Sequence, residues 1–210
     1  MFQVLELGKL GYQEAWDRQV DIAKEVAGGG PDTLVFVEHP PVLTLGASFH
    51  PENLLVSREE LEAMEILVSK SDRGGDVTFH GPGQLVAYPI FDLNRHGKDL
   101  HLWLRNLEQA VITALNSFGV EGRRFPPHTG VWVNDKKVAA IGIKVTRWVS
   151  IHGIAINCNN DLSPFELIVP CGIQGYSVTS LTNELGREIT IHDAQNALAE
   201  SFREVFTEGG

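Results

Sequence analysis

The run from Arg73 to Gln84 is the stretch of this sequence best suited to hold a ligand. It contains four glycines and one proline, so it cannot form a helix, and its backbone can approach a bound molecule closely. Arg73 and His80 would supply polar contacts. The run is not a Walker loop, because no Gly-Lys-Ser/Thr follows, and it lacks the third glycine of a dinucleotide-binding fingerprint. A tight turn between two strands is the alternative interpretation.

Cys171 is the candidate nucleophile. It stands between Pro170 and Gly172, in a sequence typical of a turn, whereas Cys158 ends an apolar stretch and is expected to be a small core residue. A thiol with the reference pKa of about 8.5 is only slightly ionised at neutral pH, so a nucleophilic cysteine needs an activating group. The candidates are the histidines and the lysines at positions 136, 137 and 144.

The eight histidines are scattered along the chain. The sequence contains neither HExxH nor a paired cysteine–histidine spacing, so we predict no metal site. His152, next to Gly153, fits either a packed strand or the wall of a pocket.

The composition is that of a globular protein. The 210 residues are 43% hydrophobic and 21% charged, which excludes wholesale disorder. The net charge of -10 argues against a general binder of nucleic acid or membrane surfaces. No apolar run approaches the roughly 20 residues of a membrane span, and the N-terminus lacks the basic start of a signal peptide. With only two cysteines, we expect free thiols and a cytoplasmic protein.

Helical periodicity occurs in three places. One helix would begin at an Asp99 cap and end at Gly119, and another would begin at a Thr190 cap. A shorter helix is predicted over Arg58 to Met64. The first helix of the chain would end at Gly28 and bury one face formed by Trp16, Val20, Ala23 and Ala27.

Short runs rich in β-branched and aromatic residues predict strands between these helices. Such strand groups, interrupted by single helices, predict an α+β fold with a mixed or antiparallel sheet and helices on one side. We expect one domain over residues 1–210, in which the segment from about Ser180 could form a small C-terminal lobe. The predicted strands are Thr33–His39, Pro41–Gly46, Glu65–Lys70, Leu85–Phe91, Ser150–Cys158 and a hairpin of Val131–Val133 with Lys137–Val145.

Several long motifs together resemble the lipoyl(octanoyl) transferases, which are octanoyl-acyl-carrier-protein:protein octanoyltransferases. The resemblance spans Glu38 to Ile173 in matching order and spacing. Its motifs are EHPPVLTLG, RGGDVTFHGPGQLVAYPI, HTGVWV, KKVAAIGIKV, SIHGIAINC and NDLSPF…IVPCGI.

The resemblance implies an acyltransferase with the fold of the biotin and lipoate protein ligase catalytic core. Such an enzyme moves an octanoyl group from acyl carrier protein to one lysine of a lipoyl domain, the first step in making protein-bound lipoate. The acyl donor is carried on the phosphopantetheine of the carrier protein, so no cofactor and no ATP are expected. The implied partners are octanoyl-acyl carrier protein and lipoyl-domain proteins, namely E2 subunits and the glycine cleavage H protein. We expect a monomer that binds neither nucleic acid nor membranes.

The resemblance also implies roles for individual residues. Cys171 matches the nucleophile, and Lys137 matches the lysine that acts as its acid and base. Asp76 stands where the family often has glutamine, and Lys144 where arginine is frequent, which makes Lys144 a rival for the catalytic lysine. The segments that match the acyl pocket are Arg73, Gly74, Gly75, Asp76, Val77, Thr78, Phe79 and His80, then Ala140, Ile141 and Gly142, then Gly153, Ile154 and Ala155.

The small residues on these last two segments would leave width for an eight-carbon chain between strands. Backbone N–H groups around Gly172 or residues 140–142 could hold the oxyanion. An acidic carrier protein would bind to a basic patch on this protein. The alternative is that these basic residues only form a solvent-exposed strand face. The basic residues near the expected site are Arg123, Arg124, Lys136, Lys137, Lys144 and Arg147.

Three other functions remain open from the residues. An ATP-dependent lipoate or biotin ligase on the same fold would not need the cysteine. A non-catalytic acyl- or carrier-binding module would keep the glycine-rich pocket without a reactive thiol. A cysteine thioesterase would form the same acyl intermediate and pass it to water.

Overall fold

The computed structural model describes residues 2–170 and 175–207. Most of the predicted strands and helices are present, with ends that shift by a few residues. The strands are β1 (Gln3–Lys9), β2 (Thr33–Glu38), β3 (Val42–Leu45), β4 (Leu67–Lys70), β5 (Val77–His80), β6 (Gln84–Ile90), β7 (Arg123–Phe125), β8 (His128–Val133), β9 (Lys136–Thr146), β10 (Val149–Asn157) and β11 (Ser177–Val178). The helices are α1 (Tyr12–Ala27), α2 (Arg58–Ala63), α3 (Leu100–Ser117), α4 (Leu181–Leu185) and α5 (Ile191–Thr207).

Two mixed sheets carry the fold, which confirms the predicted α+β class. The large sheet has the order β1-β2-β6-β10-β9-β8-β7, and β11 pairs with β9. The pairs β1–β2 and β11–β9 are parallel, and the other pairs in this sheet are antiparallel. The small sheet has the order β4-β3-β5. The ladder between β10 and β9 reaches Ala139, and β11 then pairs with β9 at Lys136 and Lys137.

Helices cover both faces of the large sheet, so the prediction of helices on one side was wrong. Alternate residues of β2 show the division: Leu34 and Phe36 belong to one hydrophobic cluster, and Val35 and Val37 to another. The first cluster contains α3 and α5, and the second contains α1. Because side chains alternate across a strand, a sheet with two apolar faces needs a helix layer on each.

The buried face of α1 also differs from the prediction. Tyr12, Ala15, Gln19 and Val26 are buried, whereas Val20 is exposed. The polar Gln19 can be fully buried because its Oε1 accepts a hydrogen bond of 2.7 Å from the backbone N–H of His152. A pattern of apolar residues alone misses such a face, since the side chain that anchors it is an amide.

The predicted helix starts are confirmed at two of the longer helices. Asp99 caps α3 by accepting hydrogen bonds from the N–H groups of His101 and Leu102. Thr190 caps α5 by accepting from the N–H of Asp193, whose carboxylate accepts from the N–H of Thr190 in return. These side chains satisfy backbone donors that the first helical turn leaves unpaired.

Candidate active site

A cavity of about 410 Å³ lies against β5, β6, β9 and β10, a volume within the range of small-molecule sites. Its lining includes twelve residues that the sequence marked as site residues. They are Arg73, Gly74, Gly75, Thr78, His80, Lys137, Ala140, Ile141, Gly142, Gly153, Ile154 and Ala155.

Three further residues of the marked segment do not line this cavity. β5 forms inside the glycine-rich run, so its side chains alternate between two sides. Thr78 and His80 line the cavity, while Val77 and Phe79 pack in the apolar cluster of the small sheet. Asp76 precedes the strand and accepts hydrogen bonds from Asn53, His50 and Val77. The structure therefore places Asp76, Val77 and Phe79 behind the cavity wall.

The two glycines of β9 and β10 permit close backbone packing, which the sequence did not indicate. Gly142 and Gly153 are cross-strand partners. A Cβ on Gly142 would lie 2.7 Å from the carbonyl oxygen of Gly74, and one on Gly153 would lie 2.4 Å from that of Ala87. The neighbouring pair Ala140 and Ala155 presents only methyl groups to the cavity. Residues 140 to 143 of β9, which span about 10 Å along the strand, all line the cavity.

A chain of buried hydrogen bonds holds His80 in the cavity wall. Nδ2 of Asn157 donates to the carbonyl of Thr179, and Oδ1 of Asn157 accepts from Nε2 of Gln84 at 2.9 Å. Oε1 of Gln84 therefore accepts from Nδ1 of His80 at 2.7 Å, which leaves Nε2 of His80 as an acceptor. Burial lowers the pKa of His80 to about 3, so this ring stays neutral near neutral pH.

We expect the stability of the protein to fall on acidification because of His80. The unfolded chain binds a proton below the ordinary value of 6.5, and the folded chain does not until pH approaches about 3. The free energy of unfolding should then fall by up to about 1.4 kcal/mol per pH unit from this residue. Denaturant titrations between pH 6.5 and about 4.5 should show a shallower pH dependence in His80→Asn. The exposed His101 supplies the control, and an equally shallow slope in His101→Asn would contradict the assignment.

Two tyrosines and a histidine that sequence reasoning missed complete the polar side of the site. Tyr12 and Tyr88 line the cavity, and burial raises the pKa of both. Nδ1 of His39 donates to the carbonyl of Leu10, so its Nε2 accepts from the hydroxyl of Tyr88 at 2.7 Å. The period-two pattern of β6 could have indicated Tyr88, whereas Tyr12 reaches the cavity only through the packing of α1. His152, for which the sequence left a packed strand and a pocket wall open, lies on β10 and lines the cavity. The unmarked lining residues are Val86, Leu104, Pro127, His128, Thr129 and Ile143.

Lys137 is a buried amine at one end of this site. It is 6% exposed, and its Nζ lies 5.0 Å from the centre of the Trp132 ring. Such an ammonium over an indole face gains electrostatic stabilisation. Within residues 2–170 and 175–207, no carboxylate pairs with Lys137. Lys137 is therefore held in place by packing, with no ion pair in the described part of the chain.

Lys144, the rival lysine, is engaged elsewhere. Its Nζ lies 2.5 Å from Oδ2 of Asp72, and Nε2 of His152 lies 2.7 Å from Oδ1 of the same carboxylate. Burial raises the pKa of Asp72, but these hydrogen bonds outweigh it and hold the pKa below its usual range. The side chain of Lys144 is 40% exposed and does not line the cavity. The geometry therefore favours Lys137 over Lys144 as the reactive amine.

Cys171 lies outside the described residues, as does Gly172, but the chain on both sides is described. Pro170 and Lys137 line the same small cavity, which also contacts Thr78 and Ala155. Downstream, the N–H of Thr179 donates to the carbonyl of Lys137 at 3.0 Å. Both flanks of the candidate nucleophile are thus held beside Lys137.

Cys158 is a core residue, as predicted. It is fully buried, and burial raises the pKa of its thiol to about 12. A thiol in that environment is neither ionised nor accessible at neutral pH.

Three of the six basic residues near the site neutralise carboxylates of this chain. Arg124 contacts the fully buried Glu108 at 3.1 Å, Arg123 contacts Asp135 at 3.0 Å, and Lys144 contacts Asp72. These ion pairs offset the positive charge at three of the six positions, all of which keep exposed side-chain surface.

No group of three or more His, Cys, Asp or Glu side chains in residues 2–170 and 175–207 is arranged to hold a metal ion. No helix in those ranges combines the length and apolar character that a membrane span requires.

Comparison with known proteins identifies the family. Residues 11–203 match the lipoyl protein ligase A/B catalytic domain. An octanoyltransferase of Chloroflexus aurantiacus is 47% identical over 204 residues, covering 95% of this chain and 92% of that protein. An octanoyltransferase of Rubrobacter xylanophilus is 49% identical over 206 residues, covering 97% and 92%. The chain belongs to the octanoyltransferase family. The predicted resemblance and the acyltransferase class are confirmed.

Solved structures place this octanoyltransferase family member among the ligase folds. A lipoate-protein ligase A bound with ATP superposes with a TM-score of 0.79 at 17% identity, covering 98% of this chain and 85% of that one. A biotin protein ligase from Aquifex aeolicus gives 0.57 at 16% identity, covering 99% and 70%. At these identities the likeness shows the fold alone, and it confirms the predicted ligase-like core.

Proposed function

We propose that this protein transfers an octanoyl group from acyl carrier protein to a lysine of lipoyl domains through a thioester on Cys171. The observation that carries the proposal is the small cavity shared by Lys137 and Pro170. It sets a buried amine beside the backbone that leads directly into Cys171, at the edge of a cavity suited to an alkyl chain. The names of the relatives support octanoyl as the acyl group.

The first half-reaction exchanges one thioester for another. The Cys171 thiol passes its proton to Lys137, and the sulfur attacks the octanoyl carbonyl. The bond to the pantetheine sulfur breaks, and Lys137 returns the proton to that leaving thiolate. Because one thioester replaces another, the exchange is close to neutral in free energy and needs no ATP.

The second half-reaction forms an amide. The neutral amine of the acceptor lysine attacks the Cys171 thioester, and the amine loses a proton to Lys137. The Cys171 sulfur departs and recovers that proton from Lys137, which regenerates both residues. The donor is acyl carrier protein and the acceptors are lipoyl-domain proteins in this proposal, with the enzyme acting as a monomer in the cytoplasm.

Intact-protein mass spectrometry tests the proposal directly. The enzyme mixed with octanoyl-acyl carrier protein, without ATP, should gain one octanoyl mass that maps to Cys171. The added mass should disappear when a lipoyl-domain protein is supplied, and the octanoyl group should then be found on the acceptor lysine. A requirement for ATP would instead support a ligase, and release of free octanoate would support a thioesterase. Either result, or the absence of an adduct, contradicts the proposed transfer.

A further inference from the structure

Asp76 is a buried carboxylate that does not line the cavity. It is 5% exposed. Its Oδ1 accepts hydrogen bonds from the N–H of Val77 at 2.7 Å and from the N–H of His50 at 3.3 Å. Its Oδ2 accepts from Nδ2 of Asn53 at 2.7 Å. Since a buried carboxylate is costly unless it is fully hydrogen-bonded, these contacts hold the turn of residues 50–53 firmly onto the start of β5.

The turn of residues 50–53 also holds the chain immediately upstream of Cys171. The carbonyl of Asn53 accepts a hydrogen bond from the N–H of Val169 at 2.8 Å, and the N–H of Leu55 donates to the carbonyl of Leu167 at 2.9 Å. Leu54 and Ile168 form the β-bridge between these two bonds. Val169 is two residues before Cys171 and one before Pro170, which lies in the small cavity with Lys137.

We propose that Asp76 is a positioning residue, which through Asn53 and Val169 holds Pro170, the residue before Cys171, in the small cavity beside Lys137. The inference rests on the proposed function, because it requires Cys171 to be the nucleophile. It replaces the contact with substrate that the sequence suggested for Asp76. A displacement of the Val169 backbone is passed directly along the chain to the nucleophile, and errors of about 1 Å in a reacting group can cost about a hundredfold in rate.

Paired substitutions at Asp76 and Asn53 test this link. Asn53→Asp places two carboxylates in contact and should push the turn away from β5. Asp76→Ala removes the acceptor. Asp76→Asn should preserve the link, because the Asn53 amide can turn and accept from the new amide. The double variant Asp76→Asn with Asn53→Asp restores one hydrogen bond with its direction reversed, so it should recover what Asn53→Asp loses.

The readouts are the rate of Cys171 acylation by octanoyl-acyl carrier protein and its dependence on donor concentration. Asn53→Asp and Asp76→Ala should slow acylation about tenfold or more, with little change in the donor KM, because the acyl cavity itself is untouched. Asp161→Ala is the matched control. Asp161 also caps a turn ahead of Cys171, where it accepts from the N–H and hydroxyl of Ser163, and neither hydrogen bond involves Val169.

The thermal midpoint of each variant separates positioning from simple loss of stability. Slower acylation in Asn53→Asp that the second substitution reverses, at temperatures where both are folded, supports the proposal. Unchanged acylation in folded Asn53→Asp overturns it, as does an equal defect in the double variant. If Asp76→Ala does not fold, the comparison of Asn53→Asp with the double variant still tests the proposal. A wild-type enzyme that forms no acyl adduct would instead refute the proposed function.

Discussion

Replacing Cys171 with serine is expected to abolish the octanoyl adduct and to reduce transfer by a factor of about a thousand or more. A hydroxyl is far less ionised than a thiol near neutral pH, and it is a much poorer nucleophile toward a thioester. Mass spectrometry with octanoyl-acyl carrier protein and a timed transfer assay measure both effects. The serine differs from cysteine by one atom, so the pocket should remain intact.

Cys158→Ser is the matched control for this variant. Cys158 is fully buried, and burial raises the pKa of its thiol to about 12, so its loss should leave adduct formation at Cys171 unchanged. A brief treatment with iodoacetamide should alkylate Cys171 far faster than Cys158. Transfer at the normal rate by Cys171→Ser would rule out the covalent route.

Replacing Lys137 with alanine should slow both half-reactions by about a hundredfold to ten-thousandfold, the usual contribution of a positioned acid–base group. Lys137 is buried against Trp132 and lines the small cavity with Pro170. Because the site is enclosed, a cation from the exposed surface cannot easily take over its role in proton transfer. Single-turnover acylation and a separate aminolysis of preformed acyl-enzyme would measure the two steps. Equal losses in both are expected if one amine serves both proton transfers.

Lys144→Ala tests the other lysine that the sequence left as a candidate for the acid–base role. Its ammonium pairs with Asp72 outside the cavity, so its removal should change acyl transfer by less than about threefold, as for other exposed ion pairs. A large loss in Lys144→Ala together with normal activity in Lys137→Ala would transfer the acid–base role to Lys144.

The choice between these lysines shows where sequence reasoning ended. Both residues lie on β9, and a strand pattern alone puts an odd- and an even-numbered residue on opposite faces without saying which face meets the substrate. The contacts distinguish the two side chains: Lys137 is enclosed by Trp132 and β11, and Lys144 pairs with Asp72. These contacts join residues that are far apart in sequence, so no local sequence pattern predicts them.

The glycine-rich run shows a second limit. Its glycines predict a ligand-facing segment, and Arg73, Gly74, Gly75, Thr78 and His80 all line the cavity. The predicted strands nevertheless leave out residues 77–80, which pair with β3 as a strand. Pairing then turned every second side chain away from the cavity, and it gave Asp76 partners on another segment.

By itself the sequence determined the family, the α+β class, the main strands and helices, and the segments that border the cavity. Those features depend on local composition, periodicity and long motifs, which the chain carries in order. Only the tertiary structure decided that helices cover both faces of the sheet, that Gln19 is the buried anchor of α1, and that Lys137 is the enclosed lysine. These outcomes depend on which distant groups meet, because burial, hydrogen-bond partners and charge neutralisation are set by packing between elements.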